Sequence, residues 1–166
     1  FHARRPVEAP LGRMLAPQIK SALPDEKAAI MAKTDGGRAL LNRLLGLAIA
    51  AGDNAAIERA AKQVHDQNMT LSQGALMALN HCDHPARAIA LQAFHDRWQD
   101  SPLVMEKWFM MESMSLVSGT IARLGELMAH PAFDANNPNK LRSVLGAFMT
   151  GNPVHFYADD GSGFDF

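Results

Sequence analysis

His81-Cys82-Asp83-His84 is the densest run of metal-ligating and nucleophilic residue types in the chain. Helical zinc sites place two ligands at i and i+4, on one face. The spacing here does not match that pattern. Asp83 and Pro85 instead predict a connection between helices. Cys82 as a nucleophile requires a positioned base and a depressed pKa. No residue that would orient His81 or His84 is evident, so an idle or buried thiol is the expectation. Asp160-Gly161-Ser162-Gly163 is glycine-rich, but it lacks the Lys and the helix of a phosphate-binding loop and predicts a turn. His-Glu-x-x-His is absent from the chain. These residues predict no catalytic group, no metal ligand and no cofactor within the chain.

One charge stands apart. In Asn137-Pro138-Asn139-Lys140-Leu141-Arg142-Ser143, Asn137 is a helix cap with proline in the first turn. Arg142 then lies in the second turn, beside Leu141, which is expected to face inward. Periodicity alone makes Arg142 an ordinary solvated arginine. Met105, Met110, Met111 and Met114 surround Trp108 and Phe109. Such a cluster reads as gap-filling core, with a methionine-rich partner groove as the alternative.

The elements that must carry these residues are helical. Ala, Leu and Met dominate the apolar set, and Val, Ile, Thr and Tyr are sparse. The 166 residues suit one domain able to bury a core without disulfides. The formal net charge of −1 comes from interleaved acids and bases, so no nucleic-acid partner is expected. The apolar stretch near Leu44 to Ala51 is too short to span a bilayer, and no membrane partner is expected. The lone cysteine, Cys82, allows no internal disulfide and fits a reducing compartment, so the expected location is cytoplasmic. The chain starts without Met and stops in Gly163-Phe164-Asp165-Phe166, and it reads as a fragment of a longer protein.

Pro6, Pro10 and Pro17 predict that the first residues form only short helices, through Leu11 to Leu15 and Pro17 to Leu23. A further helix from Pro24 is expected to stop near Gly36-Gly37. Leu40, Leu41, Leu44, Leu45 and Ala48 form one apolar face of a helix ending at Gly52. Asp53 caps the next, and Thr70 with Gln73 reads as a capping box. Pro85, Ser101-Pro102, Ser118 or a neighbour, and Asn137-Pro138 open the later helices, with Gly151 as the last stop. The first helix of each pair is expected near residues 36, 70, 102 and 137, a period in the range of helical arrays. The predicted fold is all-α, a right-handed armadillo/HEAT-like superhelix of stacked antiparallel helix pairs.

Several runs carry a family resemblance. Leu103-Val104-Met105-Glu106-Lys107-Trp108-Phe109 resembles the "VMDKWF" segment of bacterial aminopeptidase N, the zinc-dependent alanyl aminopeptidases. Asn137 to Phe148 is similar to that family's "NPN(R/K)xRSLxGAF", and Asp160 to Phe164 to its "DGSGY". Leu127 to Phe133 resembles "LLQHxxF". The resemblance covers residues 39 to 164. It implies residues 36–166 as part of the C-terminal helical-repeat domain, preceded by a helical segment, residues 1–35, that matches no motif.

The resemblance further implies a non-catalytic domain that caps the active-site cavity and lines the substrate channel of an enzyme removing N-terminal residues from peptides. The zinc and its ligands belong to the catalytic domain of the same polypeptide, which is the expected partner together with peptide substrates. Arg142 falls on the family's channel arginine. Phe164 stands where the family usually has tyrosine. The alternative is a free-standing helical-repeat adaptor for peptides or proteins.

Overall fold

The structure, a computed structural model, describes residues 4–166, with side chains from Val7 onward. The first three residues of the expected 1–35 segment lie outside the described residues. Every regular element among the described residues is a helix. The chain divides into two compact units, Phe1–Ala90 and Leu91–Phe166.

In the first unit, α1 (Arg4–Met14), α2 (Ala16–Ala22) and α3 (Asp25–Met31) precede α4 (Asp35–Ala50), α5 (Asn54–Gln63), α6 (Met69–Leu79) and the first turns of α7 (Pro85–Trp98). The prolines do not interrupt α1 as expected, because Pro10 lies inside it. Packing overrides propensity there. Gly12 lies so near α4 that a Cβ would sit 2.2 Å from Leu47 O. Glu8 also accepts an ion-pair hydrogen bond from Arg43 of α4 at 2.8 Å. Pro17 occupies the first turn of α2, where its missing N–H costs nothing.

Gly36-Gly37 does not end a helix but begins α4. Thr34 Oγ1 accepts from Gly37 N–H at 3.1 Å, and a Cβ on Gly37 would lie 2.0 Å from Met31 O. That close crossing, not helix termination, explains the glycine. The predicted capping box at Thr70 and Gln73 is also replaced. Asn68 caps α6, its Oδ1 accepting from Thr70 N–H at 3.0 Å and Leu71 N–H at 3.3 Å. Asp53 caps α5 as expected, accepting from Ala55 and Ala56. Leu45 and Ala48 of α4, Ile57 and Ala60 of α5, and Leu76 and Leu79 of α6 are all buried, while Leu41 packs with Ala28 of α3 and Leu71 of α6. Leu40, expected inward, is 51% exposed.

The second unit holds the rest of α7, then α8 (Pro102–Ser113) and α9 (Thr120–Met128). It continues with α10 (Pro138–Leu141), a π-helical turn (Arg142–Gly146), α11 (Ala147–Gly151), α12 (Pro153–Phe156) and α13 (Ser162–Asp165). Phe94, Met105, Phe109, Met111, Leu124, Leu127, Val144 and Phe148 are buried in it. Gly119, with φ +81°, opens α9. The four expected pair starts appear at Asp35, Met69, Pro102 and Pro138.

Candidate functional site

Arg142 owes its position to a cap, a defect and a buried lysine. Asn137 Oδ1 accepts from Asn139 N–H at 2.9 Å and Lys140 N–H at 3.4 Å, and Pro138 fills the first turn. The helix then underwinds. Ala147 N–H donates to Arg142 O, five residues back. Two hydroxyls compete for the backbone ladder at this point: Ser143 Oγ donates to Lys140 O and Thr150 Oγ1 to Gly146 O, each at 2.7 Å. Such single π turns interrupt α-helices most often where a helix does something besides packing.

The turn separates two faces. Ser143, Val144, Ala147 and Phe148 are buried, whereas Arg142 is exposed. Arg142 makes no hydrogen bond and no ion pair among the described residues. Arg38, Arg43, Arg59 and Arg123, by contrast, are each bonded to a carboxylate. Gly146 lies alongside, where a Cβ would stand 3.6 Å from Arg142 Cβ. The result is an exposed guanidinium, able to meet a carboxylate with two parallel N–H donors.

Leu141, expected inward, is 37% exposed, and Lys140 is buried in its place. Lys140 Nζ reaches Pro102 O at 3.5 Å and lies 5.5 Å from the Phe109 ring centroid. The signal was available, because Lys140 stands four residues before Val144 on the buried stripe. Asn152 fixes the far end of the segment. It is fully buried, and its Nδ2 donates to Ser113 O at 3.1 Å and Ser115 O at 2.6 Å.

The other candidates have local duties. His84 Nδ1 accepts from Ala86 N–H at 3.1 Å and so caps α7. Burial, then the neighbouring Asp83 charge, pushes the Cys82 thiol up, which opposes nucleophilicity. Met105 and Met111 are core, while Met110 is 38% exposed. Asp160 Oδ1 accepts from Ser162 N–H at 3.0 Å and Ser162 Oγ at 2.6 Å, and these bonds hold its carboxyl below the usual range. Gly161 has φ +76°. Gly163 is packed so closely that a Cβ would lie 2.2 Å from His155 O. Phe164 is 64% exposed, with its ring tilted on Phe156. Among the described residues no three His, Cys, Asp or Glu side chains converge as metal ligands.

A family model described as "Domain of unknown function (DUF3458_C) ARM repeats" matches residues 1–166. The chain belongs to this family. The DUF3458_C domain is 38% identical over 107 residues to aminopeptidase N of Escherichia coli, covering 64% of this chain and 12% of that protein. It is 34% identical over 100 residues to aminopeptidase N of Caulobacter vibrioides, covering 60% of this chain and 12% of that protein. It is 36% identical over 99 residues to aminopeptidase N of Haemophilus influenzae. The chain thus spans about an eighth of the length of the curated relatives it matches.

A crystal structure of Legionella pneumophila aminopeptidase A in complex with aspartic acid matches 98% of this chain and 20% of its own, with TM-score 0.81 and 22% identity. That match bears on fold, and together with the ARM-repeat description it gives the all-α repeat class expected from the sequence. The matches fit the C-terminal helical domain of an aminopeptidase N. Among the described residues no helix is long and apolar enough to cross a membrane.

Proposed function

We propose that this DUF3458_C domain is a non-catalytic, channel-lining part of a zinc metalloaminopeptidase that removes N-terminal residues from peptides. In this reading residues 36–166 form part of the C-terminal helical-repeat domain, and residues 1–35 are a helical segment in front of it. The catalytic domain of the same polypeptide supplies the zinc and the hydrolytic groups, and the enzyme works in the cytoplasm. The helices here cap the active-site cavity and select the peptides that reach it.

The observation that carries the reading is Arg142, an exposed and unpaired guanidinium on a π turn within the Asn137–Phe148 motif. Long-range attraction draws in a peptide carboxylate, and the planar fork then holds it by two charge-assisted hydrogen bonds. No bond is made or broken at this residue.

The test uses the full-length aminopeptidase that contains this domain. Arg142→Ala should raise KM for peptide substrates roughly tenfold, the worth of one charge-assisted hydrogen bond in a partly solvated setting. An amino-acid anilide, which has no carboxylate for Arg142 to meet, should be hydrolysed with little change. Stability should move by no more than about 0.5 kcal/mol, as for other exposed side chains. Unchanged peptide kinetics together with a large loss of Tm would give Arg142 a structural role instead. Turnover of an alanyl anilide by the pure 166-residue chain with added zinc would refute the non-catalytic assignment.

A further inference from the structure

His95 Nε2 and His130 Nε2 lie 3.1 Å apart, close enough that a single proton must lie between them. The outer bonds decide which ring owns it. His130 Nδ1 accepts from Ala132 N–H at 3.1 Å, so that nitrogen is bare. A neutral His130 therefore carries its proton on Nε2 and donates it to His95 Nε2. His95 then bears its own proton on Nδ1, which donates to Asp96 Oδ1 at 3.1 Å. Two neutral rings satisfy the whole chain of bonds from Ala132 to Asp96.

A further proton finds no acceptor. On His95 Nε2 it faces the His130 Nε2–H, and on His130 Nδ1 it faces the Ala132 N–H. A metal between the two Nε2 atoms meets the same obstacle, since a ligating imidazole puts its proton on Nδ1 and donates it outward.

The surroundings also disfavour positive charge. From α8, the Trp108 ring stands 5.0 Å from His95 and 5.7 Å from His130, and Phe109 meets His130 edge-on at 5.4 Å. From α9, Arg123 lies 5.7 Å over Trp108, and from α10, Lys140 lies 5.5 Å over Phe109. The nearby acids are engaged elsewhere: Glu112 of α8 and Glu126 of α9 are bonded to Arg123. Asp134 of the intervening loop accepts from Asn136. On α7, Asp96 bonds His95 from a side that is 60% exposed, and Arg97 lies over Trp98. Burial, followed by the charges of His95, Arg123 and Lys140, pushes the His130 imidazole down.

We propose that His95 and His130 form a proton-excluding clamp that holds the His130 turn against α7 and α8 at neutral pH and releases it in mild acid. The turn leads directly to the Asn137 cap, so release loosens the entry to the helix that carries Arg142. The sign follows from proton counting. Below about pH 6.5 the unfolded chain binds a proton at His130 that the folded arrangement rejects. The stabilisation is complete above that pH and is lost as pH falls towards the depressed folded value.

The test measures the folding constant of the chain by denaturant titration from pH 7.5 to 5.0. Wild type is compared with His95→Gln, His130→Gln and the double variant, in which the amide occupies the Nε2 position without titrating. Each excluded proton lowers the folding constant up to tenfold per pH unit. Wild type should therefore lose about fivefold more than the double variant between pH 6.5 and 5.5, because the window opens at the unfolded pKa itself. Equal losses in the two proteins overturn the clamp. Ring-nitrogen NMR on wild type decides even where a variant fails to fold. A bare His130 Nδ1 and a protonated His95 Nδ1 at pH 7.5 support the clamp. A protonated His130 Nδ1, or a His130 that titrates at its ordinary value, overturns it.

Discussion

Replacing Asn152 with alanine tests how the Arg142 helix is held. Asn152 is completely buried and joins three segments. Its Nδ2 ties down Ser113 O at the end of α8 and Ser115 O just beyond, while its Oδ1 accepts from His155 N–H at 3.3 Å as the cap of α12. Ser115 O keeps the Thr120 hydroxyl at 3.2 Å, so one carbonyl bond there is replaceable and the bond to Ser113 O is not. Losing a cap costs about 1 kcal/mol, and stranding a buried carbonyl costs roughly 1–3 kcal/mol. The sum is about 3 kcal/mol, or ~6–12 °C in Tm for a chain of this length. Asn152→Asp should cost at least as much, because a carboxylate can only turn acceptors towards the two carbonyls. Equilibrium urea unfolding with circular dichroism measures both. A loss below about 1 kcal/mol for the alanine variant would refute the idea that this amide pins α11 and α12 to α8.

Two further substitutions probe the same unit. Gly163→Ala sets a methyl 2.2 Å from His155 O and 2.4 Å from Phe156 O, both backbone atoms, so thermal unfolding should show a loss of ~2 kcal/mol or more. Arg123→Met removes the cation bonded to Glu112, whose side chain is 4% exposed, at 2.9 Å. Because Arg123 itself is 37% exposed, denaturant unfolding should show a cost of about 2 kcal/mol at pH 7, below that of breaking a fully buried pair.

The sequence made the later helices legible because their caps act locally. Asp53 and Asn137 each need only their own next three residues to declare a helix start, and both do so in the structure. The N-terminal reading failed for a non-local reason. Pro10 argues against a helix from within α1, and the close approach of Gly12 to Leu47 that outweighs it lies thirty-five residues away in sequence. Gly36-Gly37 failed for a nearer reason, since a glycine required by the close approach of Gly37 to Met31 O, six residues back, looks the same on paper as one that ends a helix. At the candidate site, the cap predicted where Arg142 falls, but no periodicity announces a π turn or the burial of Lys140. The His95–His130 pair spans thirty-five residues and was invisible as a pair.

The underwound turn at Arg142–Gly146 also constrains how this segment can vary in length. A π turn advances about 4.4 residues per revolution against 3.6 for an α-helix, and so behaves like one residue inserted into the helix. Lys140, Val144 and Phe148 consequently line up almost parallel to the helix axis and form a straight seam along α8. Deleting one residue between Arg142 and Gly146 would heal the turn into a regular helix and keep Phe148 on the buried face, whereas inserting one would rotate everything beyond it by about 100°. Single-residue deletions should therefore be tolerated in this stretch and single-residue insertions excluded, even though its outward face is free to change its side chains.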